Sequence, residues 1–283
     1  MQIIDTISSL RNALKYQPNI AFVPTMGNLH RGHIQLVETA KIKAKTVVVS
    51  IFVNPLQFGQ NEDLDSYPRT LDADIAQLAA AGADLVFVPN ISEIYPDFDG
   101  KDLNQTMIVK TPSIADTLCG VNRPGHFSGV ATVVMKLFNI VNPTIAIFGQ
   151  KDFQQLFIIQ KMVRQFNFPI EIIAVQTVRE TDGLALSSRN AYLTADERMK
   201  APLLNKILLN IKVAIKTGNS NYVYLEQQAD ELLSKAGWIV DYISVRETAS
   251  LLPPKPHLDN PTELVVLGAA KLGKTRLIDN LII

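Results

Sequence analysis

The 283-residue chain carries 27 Lys and Arg against 27 Asp and Glu, and 47% of it is hydrophobic. That length allows one large domain or two modest ones around a buried core. Zero net charge excludes a protein built to coat nucleic acid or an anionic membrane, though not one with a local basic pocket. The only cysteine, Cys119, cannot form an intrachain disulfide, and no Cys/His cluster has structural-zinc spacing. Met1-Gln2-Ile3-Ile4-Asp5 has neither the basic n-region nor the apolar h-region of a secretory leader. No apolar run approaches the roughly 20 residues that cross a bilayer, so a soluble, cytoplasmic protein is expected.

Short apolar strands alternate with helical patterns as far as about residue 175. Residues 20–23 read as a strand that Pro24-Thr25-Met26-Gly27 breaks, and 33–43 as a helix. The β-branched run 46–53 has the pattern of a strand covered on both faces. A helix over 71–81 is stopped by Gly82 and followed by a strand at 84–88. Beyond a loop rich in Asp, Asn and Pro come a helix at 127–141, a strand at 145–148, a helix at 153–166 and a strand at 170–175. This β-α-β order predicts an α/β fold with a doubly wound parallel sheet and right-handed crossovers. The remainder reads as helices over 195–216 and 222–236, then strands at 239–246, 263–270 and 275–280, with a Pro-rich loop at 253–256. A smaller α+β lobe is therefore expected after a boundary near residue 176.

Five separated blocks carry candidate chemistry. Pro24-Thr25-Met26-Gly27-Asn28-Leu29-His30-Arg31-Gly32-His33 joins a buried strand to a helix, where open α/β sheets bind ligands. Its helix start offers N–H groups and a positive dipole end to phosphate, and His30 and His33 can reach one anion together. The same letters would also serve a plain turn with a capping histidine. Asn54-Pro55-Leu56-Gln57-Phe58-Gly59, followed by Glu62-Asp63 and Tyr67-Pro68-Arg69, sets amides just past another buried strand. An amide both donates and accepts, which suits a substrate bearing hydroxyls and a carboxylate. Arg123-Pro124-Gly125-His126 is a Gly/Pro-rich turn that is either a wall, a phosphate contact or only a turn. Gly149-Gln150-Lys151-Asp152 repeats the strand–Gly–helix pattern, with Lys151 a point charge for phosphate and Gln155 four residues on, on the same helical face. Leu186-Ser187-Ser188-Arg189-Asn190 is a polar loop able to grip a triphosphate, or a helix cap formed by Ser188 or Asn190. Gly268 to Thr275 formally matches a Walker A loop, but the run after it reads as a closing strand.

His30-Arg31-Gly32-His33 resembles the His-Ile-Gly-His signature of class I aminoacyl-tRNA synthetases and nucleotidylyltransferases. The five blocks in order, over nearly the whole chain, resemble the pantoate–β-alanine ligases of that superfamily. The departure is Leu186, where Met is commoner, a volume-conserving change. The resemblance implies a Rossmann-like ATP- and pantoate-binding domain over 1–175 and a smaller C-terminal α+β lid domain over 176–283. It implies ATP contacts at Met26, Gly27, Asn28, Leu29, His30, Arg31, Gly32 and His33. Further ATP contacts are implied at Gly149, Gln150, Lys151, Asp152, Val178, Leu186, Ser187, Ser188 and Arg189. His33 (as proton donor), His30 and Lys151 become the catalytic candidates. Gln57 and Gln155 become pantoate contacts, with Gln57 also meeting β-alanine, and Asn54, Arg123 and His126 rank as secondary candidates. The implied reaction joins pantoate to β-alanine through an adenylate, with ATP as substrate and Mg²⁺ bridging its phosphates on unassigned ligands. A homodimer, with no nucleic-acid or membrane partner, is implied as well. Two other classes remain open on the residues: a nucleotidylyltransferase that leaves the adenylyl group on its product, and a nucleotide-sensing or RNA-binding module. Three of the four histidines fall inside these blocks, and His257 lies in the Pro-rich loop.

Overall fold

The computed structural model describes residues 1–59, 64, 67–255 and 263–283. Glu62, Asp63, Pro256 and His257 lie outside the described residues. Two compact units emerge. The first holds residues 1–116, 123–150 and 155–176; the second holds 117–122, 151–154 and 177–283.

The first unit is a six-stranded parallel sheet with helices, the α/β arrangement expected. In chain order it contains β1 (Gln2–Ile4), α1 (Ile7–Leu14), β2 (Ile20–Thr25), α2 (Arg31–Lys43), β3 (Thr46–Ile51), α3 (Leu71–Ala80), β4 (Leu85–Phe87), α4 (Ile91–Ile94), α5 (His126–Val141), β5 (Ile145–Gly149), α6 (Phe153–Gln165) and β6 (Glu171–Val175). Its strand order is β1-β4-β3-β2-β5-β6. The chain runs outward from β2 through β3 and β4, then returns to β5 on the other side of β2. The switch point of the sheet therefore lies between β2 and β5, where such folds bind ligands beyond the carboxyl ends of the strands. All six residues of β3 are buried, as its β-branched run requires. Ala21, Val23, Val47 and Val49 pack with Val37 and Ala40 of α2 in one apolar cluster.

Several elements differ from the sequence expectations. Strand β2 continues through Pro24 to Thr25 instead of breaking there. Pro24 lies opposite Ser50 of β3, while pairing with β5 is confined to Ala21 and Phe22, so its missing N–H falls beyond that ladder. Helix α2 starts at Arg31, two residues early, because His30 caps it. Strand β3 ends at Ile51, and β1 and α1 carried too short a signal to be read.

The second unit contains α7 (Ala195–Lys200), α8 (Leu203–Lys216), α9 (Tyr222–Lys235) and an antiparallel sheet of β7 (Trp238–Glu247), β8 (Leu264–Leu272) and β9 (Thr275–Ile282). The helix expected over 195–216 is divided at Ala201-Pro202, since an interior proline lacks the N–H and collides with the preceding turn. The Walker-like string is the β8–β9 hairpin, with Gly268 paired to Asp279 and Leu272 to Thr275. A Cβ at Gly268 would stand 2.9 Å from Ile243 and 3.1 Å from Leu204, so this glycine serves packing and not phosphate.

Helix α5 and the turn Pro55–Gln57 meet backbone to backbone at Gly129. A Cβ there would lie 2.7 Å from the Leu56 carbonyl carbon and 2.8 Å from Cα of Gln57. A glycine-to-alanine change inside a helix ordinarily stabilises by about 1 kcal/mol. Gly129→Ala is expected instead to cost about 1–3 kcal/mol through overpacking against backbone. A lowered urea midpoint checks this; an unchanged or raised midpoint refutes the close approach.

Candidate active site

Beyond β2 the backbone turns left-handed at two consecutive residues, Gly27 (φ +81°) and Asn28 (φ +50°). A Cβ on Gly27 would lie 3.0 Å from Asp74 Oδ2 and 3.1 Å from Ile51, so only glycine fits. Asp74, on α3 and 1% exposed, accepts from the Asn28 N–H at 2.9 Å, the Leu29 N–H at 2.8 Å and the Thr70 hydroxyl at 3.2 Å. No sequence motif singled out Asp74.

The start of α2 differs from the expectation that its N–H groups face a phosphate directly. The His30 backbone N–H donates to Nδ1 of His33 at 3.3 Å, and the Gly32 N–H donates to Nδ1 of His30 at 3.1 Å. The two rings lie 4.1 Å apart, centroid to centroid. The capping-histidine reading is thus realised, and at both rings. A neutral imidazole whose Nδ1 accepts must carry its proton on Nε2, so each ring is an Nε2–H donor backed by the helix N-terminus. Arg31 forms an exposed pair with Glu38 at 2.7 Å.

After β3, Asn54 and Gln57 occupy a single 3₁₀ turn and are 1% and 9% exposed. Asn54 Nδ2 donates to Gln57 Oε1 at 3.0 Å and to the Gly129 carbonyl at 3.3 Å. Its oxygen accepts from the Leu56 N–H at 3.3 Å and from the Tyr95 hydroxyl. Both amide hydrogens of Asn54 are therefore committed inside the protein, which makes it a support for Gln57 and not a donor into the crevice. Gln57 Nε2 meets Met26 Sδ at 3.1 Å, so the first two sequence blocks converge here. The third block joins them: Arg123 Nη1 is 2.9 Å from His126 Nε2, and His126 Nδ1 is 2.8 Å from the Gln57 carbonyl. The carboxyl ends of β2, β3 and β4 open onto a cavity of about 510 Å³ lined by Met26, Gly27, Phe52, Asp74 and Val88 among others. Gly149 ends β5, and Gln155 is half-buried on α6.

In the second unit, Lys151 stands in a 3₁₀ turn of Gln150–Asp152 ahead of α6, so the expected i, i+4 relation to Gln155 on one α-helical face does not hold. Its carbonyl accepts from Asn280 Nδ2 at 2.8 Å. Lys151 and Ser187, 36 residues apart in the chain, line one small cavity together with Ala185, Asn205 and Asp279. The Ser187 loop follows a tight excursion closed by an Arg179–Ala185 bridge and a Leu186 N–H bond to the Val178 carbonyl at 3.0 Å. Ser187, not Ser188 or Asn190, caps the next turn by accepting from the Arg189 N–H at 3.3 Å. Asn190 Nδ2 fastens the loop to the Ala185 carbonyl at 3.1 Å. Arg179 makes a bidentate pair with buried Asp279 at 2.7 and 2.8 Å, and Asn205 donates to the same carboxylate at 3.1 Å. Among the described residues, no group of three or more His, Cys, Asp or Glu could hold a metal ion.

The pantoate-beta-alanine ligase family model matches residues 2–282. A pantothenate synthetase of Methylobacillus flagellatus is 58% identical over 281 residues, covering 99% of this chain and 98% of that protein. One from Thiobacillus denitrificans is 54% identical, covering 99% and 96%. The crystal structure of pantothenate synthetase from Thermus thermophilus superposes with a TM-score of 0.91 at 42% identity, covering 99% of each chain. A Francisella tularensis pantoate-beta-alanine ligase complexed with beta-gamma ATP and beta-alanine matches with a TM-score of 0.75 at 35% identity, over 100% of this chain and 97% of that one. Likeness of this extent in sequence, over whole chains and with the same fold, admits one assignment: the chain belongs to the pantoate–β-alanine ligase family.

Proposed function

We propose that the protein condenses pantoate with β-alanine in two steps that consume ATP. A pantoate carboxylate oxygen attacks the α-phosphorus, the bond from that phosphorus to the bridging oxygen breaks, and pyrophosphate leaves. The β-alanine amine then attacks the acyl carbon of the adenylate, expels AMP and loses a proton to give the amide. The observation that carries this reading is the pair of adjacent imidazoles, tilted by 36°, that cap α2 beyond β2, each with its Nδ1 accepting a backbone N–H and its Nε2 bearing the proton.

Carboxylate and triphosphate repel each other, so adenylation needs donors and positive charge set in advance. His30 and His33 supply donors to the phosphate oxygens, and His33 gives a proton as pyrophosphate departs. Lys151 and Arg189 supply charge, with Ser187 and Ser188 as further phosphate contacts. Gln57 and Gln155 hold pantoate for in-line attack, and Gln57 later receives β-alanine. Met26 to Gly32, Gly149, Gln150, Asp152, Val178 and Leu186 complete the ATP contacts. Asn54, Arg123 and His126 act through Gln57. Mg²⁺ would enter with ATP and offset its phosphate charge, since no group of three or more His, Cys, Asp or Glu among the described residues could hold the ion by itself. The family resemblance supports a homodimer. No helix among the described residues is long and apolar enough to cross a membrane, and we place the reaction in the cytoplasm.

Incubation with ATP, Mg²⁺, pantoate and β-alanine should give AMP and pantothenate in equal amounts. An adenylylated product without AMP would point to a nucleotidylyltransferase, and ATP binding without turnover to a sensor. His33→Ala and Lys151→Ala should each lower pantoate-dependent pyrophosphate exchange by roughly 10²–10³-fold, as expected for loss of one donor to developing charge, with unchanged thermal midpoints. Near-normal exchange by both variants rejects the assignment. Chelation of divalent metal should abolish exchange, and Mg²⁺ in excess of the chelator should restore it; exchange that survives chelation refutes the metal's part.

A further inference from the structure

The polarity of a buried amide can be read from partners that act in only one sense. The Leu56 N–H only donates, so the Asn54 atom 3.3 Å from it is Oδ1. The Gly129 carbonyl only accepts, so the atom 3.3 Å from it is Nδ2. Nδ2 only donates in its turn, and the Gln57 atom it faces at 3.0 Å is therefore Oε1. Gln57 is left presenting Nε2 on its other side, where Met26 Sδ accepts at 3.1 Å and the amide carries a second hydrogen. The Tyr95 hydroxyl enters the same chain as a donor to Asn54 Oδ1. Tyr95 is fully buried, and burial pushes its phenol well above the ordinary tyrosine value, which keeps the donating proton in place.

The backbone of Gln57 is fixed from a second direction. Its carbonyl can only accept, so His126 Nδ1 carries the proton in their 2.8 Å bond, and His126 Nε2 accepts from Arg123 at 2.9 Å. His126 is 8% exposed, at the first residue of α5. Side chain and backbone of Gln57 are thus held by separate chains of hydrogen bonds, one ending at Tyr95 and the other at Arg123.

We infer that Tyr95 and His126 are positioning residues for pantoate recognition: they hold Gln57 so that it offers N–H, and not its carbonyl oxygen, to the substrate. The inference rests on Gln57 being a pantoate contact. An inverted Gln57 amide would set oxygen against the substrate carboxylate, two acceptors with no hydrogen between them. Tyr95→Phe removes one hydroxyl and keeps the ring. His126→Ala removes the hold on the backbone, while His126→Asn keeps an amide donor close to the position of Nδ1.

The test compares Gln57→Ala, Tyr95→Phe, His126→Ala and His126→Asn with the parent enzyme by KM for pantoate, KM for ATP and thermal midpoint. Tyr95→Phe and His126→Ala should each raise the pantoate KM about fivefold to tenfold, the worth of one neutral hydrogen bond. The ATP KM should stay within about twofold, and His126→Asn should recover most of the loss. If Gln57→Ala leaves the pantoate KM unchanged, the reading of Gln57 itself falls, and the inference with it. If Gln57→Ala raises that KM while Tyr95→Phe and His126→Ala do not, the positioning role alone is overturned. Parallel rises in both KM values with a falling midpoint also overturn it, because they signify general destabilisation. Should His126→Ala fail to fold, Tyr95→Phe decides the question by itself.

Discussion

Left-handed backbone at Gly27 and Asn28 turns the N–H groups of residues 28 and 29 inward, onto the buried carboxylate of Asp74. An unanswered buried N–H costs roughly 1–3 kcal/mol, so the turn and the carboxylate depend on each other. With the turn fixed in this way, the next two residues that matter, His30 and His33, reach the first turn of α2 in position to cap it. The capping uses Nδ1 of both rings and so decides their tautomer. Two imidazoles thereby cover the N-terminus of the helix, each left with its proton on Nε2. Helix dipole, tautomer and donor direction all follow from how a short turn satisfies its own backbone.

The second unit applies the same economy with one strand. Neighbouring residues on a strand face opposite ways, and β9 uses this at Asp279 and Asn280. Asp279 holds Arg179 and Asn205, fixing the excursion that leads to the Ser187 loop. Asn280 holds the Lys151 carbonyl. One bracing strand therefore supports both the Lys151 turn and the approach to the Ser187 loop. The cost of a buried carboxylate is offset because Asp279 receives two bonds from a guanidinium and others from amide donors.

Much of this was legible in the chain because the relevant signals are local. The all-buried run of β3, the Gly27 turn and the His30/His33 spacing declare themselves within ten residues. Three of the five blocks also stand at strand ends, after β2, β3 and β5, where a parallel sheet exposes its loops. The supports were not legible, because each is a long-range partner whose identity only the fold supplies. Asp74 lies 46 residues from Asn28, Tyr95 lies 41 from Asn54 and Asp279 lies 100 from Arg179. Nothing in the immediate neighbourhood of Asp74 separates it from Asp72, a surface acid on the same helix. The misreadings have the same origin. Asn54 looked like a substrate donor because an amide past a strand can face either way, and only the positions of Gly129 and Leu56 show that it faces inward.

A chain of zero net charge in an ATP-dependent family offers both neutral and charged candidate groups. In the first unit the neutral candidates are two imidazoles with settled tautomers and an amide of fixed polarity, and the cationic candidates Arg31 and Arg123 belong to the same unit. Two further candidate cations, Lys151 and Arg189, belong to the second unit. There the backbone at Lys151 is pinned by Asn280, and the backbone at Arg189 by the Ser187 cap. In both units the protein fixes the backbone of a candidate residue, through the His126 bond to the Gln57 carbonyl in the first and through Asn280 and Ser187 in the second.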